Sequence, residues 1–186
     1  RAWADALFPP EQRNEEWELE YQHWDDLYNS AIGVLGTDPS EWDEETKQLL
    51  TYAVAHDNEL ELLSERLTES QLFILAADSL RSDAWEAKWQ FAKQLGKYSL
   101  TPERENILLA LVRDSDEYVR RRALMVLAEL GSVHAEQHAI SAWARGGEYE
   151  RMACLYALSR LCSPALSKYL ELAGEDGQPH LIKFAA

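Results

Sequence analysis

Apolar positions along the chain recur at helical spacing, and no stretch alternates apolar and polar residues as a half-buried strand does. Trp17, Tyr21, Trp24, Tyr28, Ala31 and Leu35 stand four, three, four, three and four positions apart. At 100° per residue they form one stripe. The pattern predicts a long helix from just after Pro9-Pro10 to about Leu35, with Glu15, Glu18, Glu20, Asp25 and Asp26 off the stripe, facing solvent or a partner. The stretch GTDPSEWDEE breaks it: Gly36 is suited to a left-handed cap, and Pro39 follows closely. A second helix is expected from about Asp43 to Ala55, with Asp43, Glu44 and Glu45 complementing the dipole of its first turn. NELELLSERL (58–67) reads as a short helix. Another covers about Ser70 to Leu80, centred on Leu72, Ile74, Leu75 and Ala76.

From there the chain repeats. SDAWEAKWQFAKQLG (82–96), SDEYVRRRALMVLAELG (115–131) and GEYERMACLYALSRLC (147–162) share one plan. Each opens with a small residue and an acid suited to capping a helix, continues as an amphipathic helix, and closes on an apolar residue followed by Gly or Cys. Leu95, Leu130 and Leu161 mark the ends. The second and third copies are preceded by TPERENILLALVR (101–113) and VHAEQHAISAWAR (133–145), with Pro102 suited to a first helical position. The segment Ser70–Leu80 plays that part for the first. PALSKYLELAG (164–174) with PHLIKFAA (179–186) forms a shortened fourth pair. Helix pairs recurring at a period of roughly 31–35 residues predict an α-solenoid.

The repeats resemble HEAT repeats, above all those of the small bacterial HEAT-like proteins. In that pattern an Asp in the turn between two helices is followed five and six positions later by Val-Arg, then by an Ala-containing apolar face. Asp114, Val119, Arg120 and Ala123 match it, and Leu127 and Leu130 continue the face. The resemblance is strong over 101–162, weaker over 70–97 and 164–186, and absent before about residue 68. In the third copy Arg145 and Glu150 stand where the pattern has Asp and Arg; in the first, Glu86 or Ala87 stands near the Arg place. The resemblance implies an all-α fold: a right-handed α-solenoid of three to four HEAT-like pairs over 69–186, with 1–68 as an acidic helical cap, in a single domain spanning 1–186. It also implies that Arg120 bridges to Asp114 and to the neighbouring repeat.

Charge sharpens this picture. The formal net charge is −15. Residues 1–70 hold 18 acids and four bases, a net of −14, and the rest of the chain is nearly balanced. Such a field repels nucleic acid and attracts a basic partner. The triplet Arg120-Arg121-Arg122 does not reverse that expectation. Its members point about 100° apart around their helix, so they cannot form one patch by themselves. Glu117 and Arg121, four apart, are placed to pair on the surface. Arg121 and Arg122 are candidate partner contacts.

Signals for catalysis are poor: no P-loop, GxGxxG, HExxH or CxxC occurs. His134 and His138 have ligand spacing, and His23 can share a face with Asp26, but neither set is complete; the expectation is no metal, no cofactor and no catalytic residue. Cys154 and Cys162 are read as buried thiols on one helix, too far apart to bond. No run of 18 apolar residues suggests a membrane span, and RAWADALFPPEQ holds no apolar signal core. The function expected is non-catalytic protein binding by a cytoplasmic chain, monomeric when free. In its sharper form the chain is an inhibitor or immunity protein for a basic partner such as a bacterial toxin. The rivals are an adaptor or regulatory scaffold, and a HEAT-like enzyme, either a lyase, which no residue specifically supports, or a DNA glycosylase, which the charge disfavours. Glu41, Trp42, Asp43, Glu44 and Glu45 are the other candidate partner contacts: Trp42 is either an aromatic anchor inside an acidic rim or a staple for the helix that follows.

Overall fold

The computed structural model describes residues 15–55, 63, 66–145 and 147–185. All regular structure among them is helical: α1 Glu15–Leu35, α2 Glu44–Ala55, α3 Glu69–Ser79, α4 Trp85–Leu95, α5 Pro102–Leu111, α6 Glu117–Glu129, α7 Ala135–Arg145, α8 Glu148–Arg160 and α9 Leu166–Glu175, with 3-10 segments at Pro39–Glu41 and Pro179–Ala185. The expected helix start near Pro9-Pro10 and most of the short helix at 58–67 lie outside the described residues, as do the side chains of Trp17, Tyr21, Trp24, Tyr28, Glu15, Glu18, Glu20 and Asp25. Of the stripe on α1, Ala31 is fully buried and Leu35 partly so. Among the described residues no helix is long and apolar enough to cross a membrane.

Each helix of a sequence-adjacent pair packs on the other: α3 on α4, α5 on α6, α7 on α8, and α9 on the final 3-10 segment. The second members also contact each other in order, α2 to α4 to α6 to α8 to the final segment. One apolar core follows this row, through Leu50 and Val54, Leu75, Phe91, Leu108, Leu124 and Leu127, Leu155 and Leu158, to Leu181.

Local chemistry explains the helix ends. Thr68 and Gln71 form a reciprocal capping box at α3, and the Gln71 amide donates to the Leu35 carbonyl at 2.8 Å, satisfying the end of α1. Thr101 caps α5 ahead of Pro102. The acid expected to cap each repeated helix does so in one copy: Asp116 Oδ1 accepts from the Tyr118 and Val119 amides. At α4 the cap position falls on Ala84, whose own amide donates to Ser82 Oγ, and at α8 on Gly147, so Glu148 already belongs to the first turn. Gly36 is not left-handed; α1 ends instead with the Thr37 amide donating to the Val34 carbonyl at 2.9 Å.

Left-handed residues close three other helices. Gly131 (φ 71°), Cys162 (φ 50°) and Gly177 (φ 70°) each follow a last helical turn. The next residue's amide then reaches back beyond the usual helical partner, Ser132 to Leu127, Ser163 to Leu158 and Gln178 to Ala173, each at 2.9 Å. Cys162 is exposed, contrary to the expectation of two buried thiols, because a left-handed residue past the helix end turns its side chain off the apolar face. Cys154 is buried, and burial pushes its thiol pKa up to about 12. A Cβ is strained at positive φ. Cys162→Gly should therefore raise unfolding free energy by about 0.5–1 kcal/mol in urea titrations, whereas Gly131→Ala should lower it by a similar amount.

Candidate functional site

Charged ties between successive helix pairs set the frame. Lys88 on α4 donates from Nζ to Asp114 Oδ2 at 2.8 Å, in the turn before α6, and both side chains are nearly buried. Burial would raise the Asp114 carboxyl; the Lys88 ammonium and the Asp116 amide outweigh it and hold Asp114 below its ordinary value. Arg104 on α5 pairs with Glu69 on α3 and lies over the Tyr98 ring. Arg151 on α8 reaches Asp176 and Gln178, each at 2.8 Å.

Arg120 is a tie of the same kind, by a route that differs from the expected one. Its Nη1 donates to the Asp114 and Ser115 carbonyls at 2.9 and 2.6 Å, while the Asp114 carboxylate is occupied by Lys88. Its Nε donates to Glu150 Oε1 at 2.8 Å, and Arg145 Nε donates to the same oxygen at 2.8 Å. Glu150 is only 5% exposed, so the two guanidinium groups neutralise a buried carboxylate. Val119 and Ala123, the other motif residues, are fully buried on α6. Glu150 is thus the acceptor of a tie rather than a replacement for an arginine. One repeat beyond Arg120 stands Arg151, which performs the tie to the next pair. The same step along the chain relates two further contacts: Ser132 Oγ donates to Glu105, and Ser163 Oγ to Glu136, each at 2.5 Å.

The acidic candidates separate into exposed and structural groups. Glu41, Glu44 and Glu45 are exposed. Asp43 is also exposed but caps α2, its Oδ1 accepting from the Thr46 amide at 2.8 Å; that bond holds its carboxyl below the ordinary value. Trp42 is 6% exposed, within the core, and its indole N–H donates to Thr37 Oγ1 at 2.8 Å. The anchor reading of Trp42 is corrected on that ground: its ring has no surface to offer, and it sits just before the helix start, as a staple does. Beside the acids an open depression of about 490 Å³ lies along α2, lined by Glu45, Thr46, Gln48, Leu49 and Tyr52.

A second surface was not foreseen. Trp85, Tyr118 and Tyr149 stand in the first turns of α4, α6 and α8 and remain 40%, 39% and 42% exposed. Their rings form a row, 5.7 Å from Trp85 to Tyr118 and 6.0 Å from Tyr118 to Tyr149. Arg121 lies over two of them, 5.5 Å from the Tyr118 centroid and 4.9 Å from that of Tyr149. The expected surface pair of Arg121 with Glu117 does not form; the guanidinium is drawn to the rings instead. Arg122 lies 4.5 Å from the Trp89 centroid, and Lys93 approaches the same ring at 5.7 Å. The triplet fans out as expected, yet neighbouring helices gather Arg121 and Arg122 onto one aromatic face. The available signal was an aromatic residue in the first turn of every copy, at Trp85, Tyr118 and Tyr149.

Burial lowers His138, and Arg113, Arg145 and His134 add to the effect, a cationic setting that opposes a divalent ion. Asp26 accepts from Gln22 at 2.9 Å. Among the described residues no group of three or more His, Cys, Asp or Glu side chains is placed to hold a metal ion. In comparisons with known proteins, the chain matches no family model, no curated protein and no solved structure.

Proposed function

We propose that the chain is a non-catalytic protein-binding module, built as a right-handed α-solenoid of HEAT-like helix pairs behind an acidic helical cap. The ordered contacts of α2, α4, α6 and α8 and the Ser–Glu ties recurring one repeat apart support the solenoid reading. The observation that carries the functional reading is the exposed Trp85–Tyr118–Tyr149 row. Contiguous exposed aromatic surface is uncommon on a protein without partners, and aromatic side chains are favoured anchors of interfaces. The partner is a protein that is basic overall, since residues 1–70 carry a net of −14 and Glu41, Glu44 and Glu45 project from the start of α2. In its sharper form the module is a cytoplasmic inhibitor or immunity protein, monomeric when free, that neutralises a basic protein such as a toxin. Charge and size support that form. An adaptor would bind the same partner without lowering its activity.

The test is affinity capture from the native cell with the wild-type chain and with Trp85→Ala/Tyr149→Ala. A protein held by the first and lost by the second supports the reading; equal capture by both, or none by either, contradicts it. With the captured partner, reversing Glu41, Glu44 and Glu45 to Lys should slow association about tenfold at low salt and flatten its salt dependence. The unfolding free energy should fall by about 1 kcal/mol, because the reversal leaves the Asp43 cap and Trp42 intact but E44K and E45K set positive charge against the dipole of the first turn of α2. Stopped-flow association and urea unfolding provide the two readouts.

A further inference from the structure

We propose that the exposed face of α4, α6 and α8 docks an acidic linear segment of the partner protein, its carboxylates meeting Arg121 and Arg122 and its apolar side chains lying along the Trp85–Tyr118–Tyr149 row. The proposal rests on the protein-binding reading above and adds the chemistry of the occupant.

Charge complementarity selects that occupant. Among the described residues neither Arg121 nor Arg122 makes an ion pair; their guanidinium groups rest on aromatic rings instead. The two are close enough to repel. Burial lowers Arg122 first, Glu129 opposes the shift, and Arg121 adds to it. Lys93, beside the same Trp89 ring, is lowered by burial and then by Arg122 and Lys97. Glu129, the acid whose charge acts on Arg122, accepts from Tyr156 Oη at 2.6 Å. A chain with net charge −15 thus keeps Arg121 and Arg122 adjacent and, among the described residues, without an ion pair, while Glu129 is engaged by Tyr156.

Arg stacked on an aromatic ring is positioned to accept a carboxylate edge-on while its flat face stays covered. Rings 5.7 and 6.0 Å apart offer successive seats for apolar side chains along an extended segment. Residues 82–162 hold eleven acids and eleven bases, so this part of the chain does not share the repulsive field of residues 1–70. A short segment with a few carboxylates feels the local cations. A nucleic acid, charged along its whole length, also meets the field of the acidic third. A partner that is basic overall and carries one acidic segment satisfies both surfaces.

The test uses three fluorescein-labelled probes: a (Glu-Glu-Leu)4 peptide, its (Lys-Lys-Leu)4 counterpart and a 12-nucleotide single-stranded DNA. Each is titrated by anisotropy against the full chain, Arg121→Glu/Arg122→Glu, Arg121→Gln/Arg122→Gln and Trp85→Ala/Tyr149→Ala. The wild type should bind the acidic peptide, and binding should weaken as salt rises. The Glu variant should lose at least tenfold, the Gln variant severalfold, and the aromatic variant severalfold with its salt dependence kept. Thermal melts identify any variant that fails to fold, and the Gln variant serves where the Glu variant does. No saturable binding of the acidic peptide, unchanged affinity in the folded arginine variants, or tighter binding of the DNA through the same arginines would each overturn the proposal. If the acidic peptide fails while the captured partner is still lost by Trp85→Ala/Tyr149→Ala, the occupant is wrong and the binding module stands. If that partner is retained, the module reading falls with it.

Discussion

Asp114→Ala should lower the unfolding free energy by about 3 kcal/mol in urea titrations. Removing one partner of a buried ion pair leaves the other charge uncompensated, at a cost of roughly 3–5 kcal/mol. Here the stranded group is the Lys88 ammonium, whose side chain is nearly buried, and the Asp116 amide loses an acceptor at the same time. The figure sits at the low end because the Lys88 stem can swing its head toward water. Asp114→Asn keeps an acceptor for the amide and should lose less. Lys88→Met combined with Asp114→Ala should lose less than the sum of the single changes, because the cavity then holds no unpaired charge. The pH dependence has a defined sign. The folded-state carboxyl lies below its ordinary value near 3.8, so its contribution is complete above about pH 5 and is lost as pH falls through the folded value. The difference between wild type and Asp114→Ala should therefore be flat from about pH 5 to 8 and shrink in acid.

Arg120→Ala should cost about 2–3 kcal/mol, the range for losing hydrogen bonds to charged groups. Arg121→Ala, the next residue, should cost less than about 0.5 kcal/mol, as surface changes do. Arg120 makes three charge-assisted hydrogen bonds, two to carbonyls of the turn before α6 and one to buried Glu150 on α8. Its loss leaves Glu150 with only Arg145, which is more exposed and less constrained. Arg121 rests on two exposed rings, where a cation–π contact contributes little. Arg120→Lys should fall between, since an ammonium cannot reproduce the fork that spans both carbonyls and the carboxylate. Equal losses at 120 and 121 in chemical unfolding would contradict the assignment of Arg120 as an inter-pair tie.

The helix positions are legible in the sequence because they rest on local rules. Leu95, Leu130 and Leu161 mark helix ends, Pro102 marks a start, and helical periodicity requires no knowledge of neighbours. Caps are less legible. Asp116 caps α6, but the small residue and acid opening the other copies are displaced by one position, and a cap is defined by a single residue. The tie residues are half legible. The motif picks out Arg120 but passes over Arg151, one repeat on, because Glu150 beside it breaks the pattern. Glu150 proves to be the acceptor, a role set by the neighbouring pair and invisible along one helix.

The candidate surface is the least legible part. Helical angles place Arg121 and Arg122 about 100° apart, and that reasoning stops at one helix. Trp89 from α4 and Tyr149 from α8 are what bring the two cations onto one face. Trp42 shows the converse. Its acidic neighbours suggest a rim, yet the hydroxyl of Thr37, just upstream, accepts its N–H and the ring turns inward. Cys162 reads as a buried thiol when it is placed on one helix with Cys154, but its positive φ takes it out of that helix.

The most direct measurement is amide hydrogen exchange of the chain alone and in complex with the captured partner, read by mass spectrometry. The account predicts slowed exchange over the first turns of α4, α6 and α8, the segments carrying Trp85 to Trp89, Tyr118 to Arg122 and Tyr149 to Met152, with a further effect at the start of α2. Protection confined to α3, α5, α7 and α9, with those first turns unchanged, would contradict it.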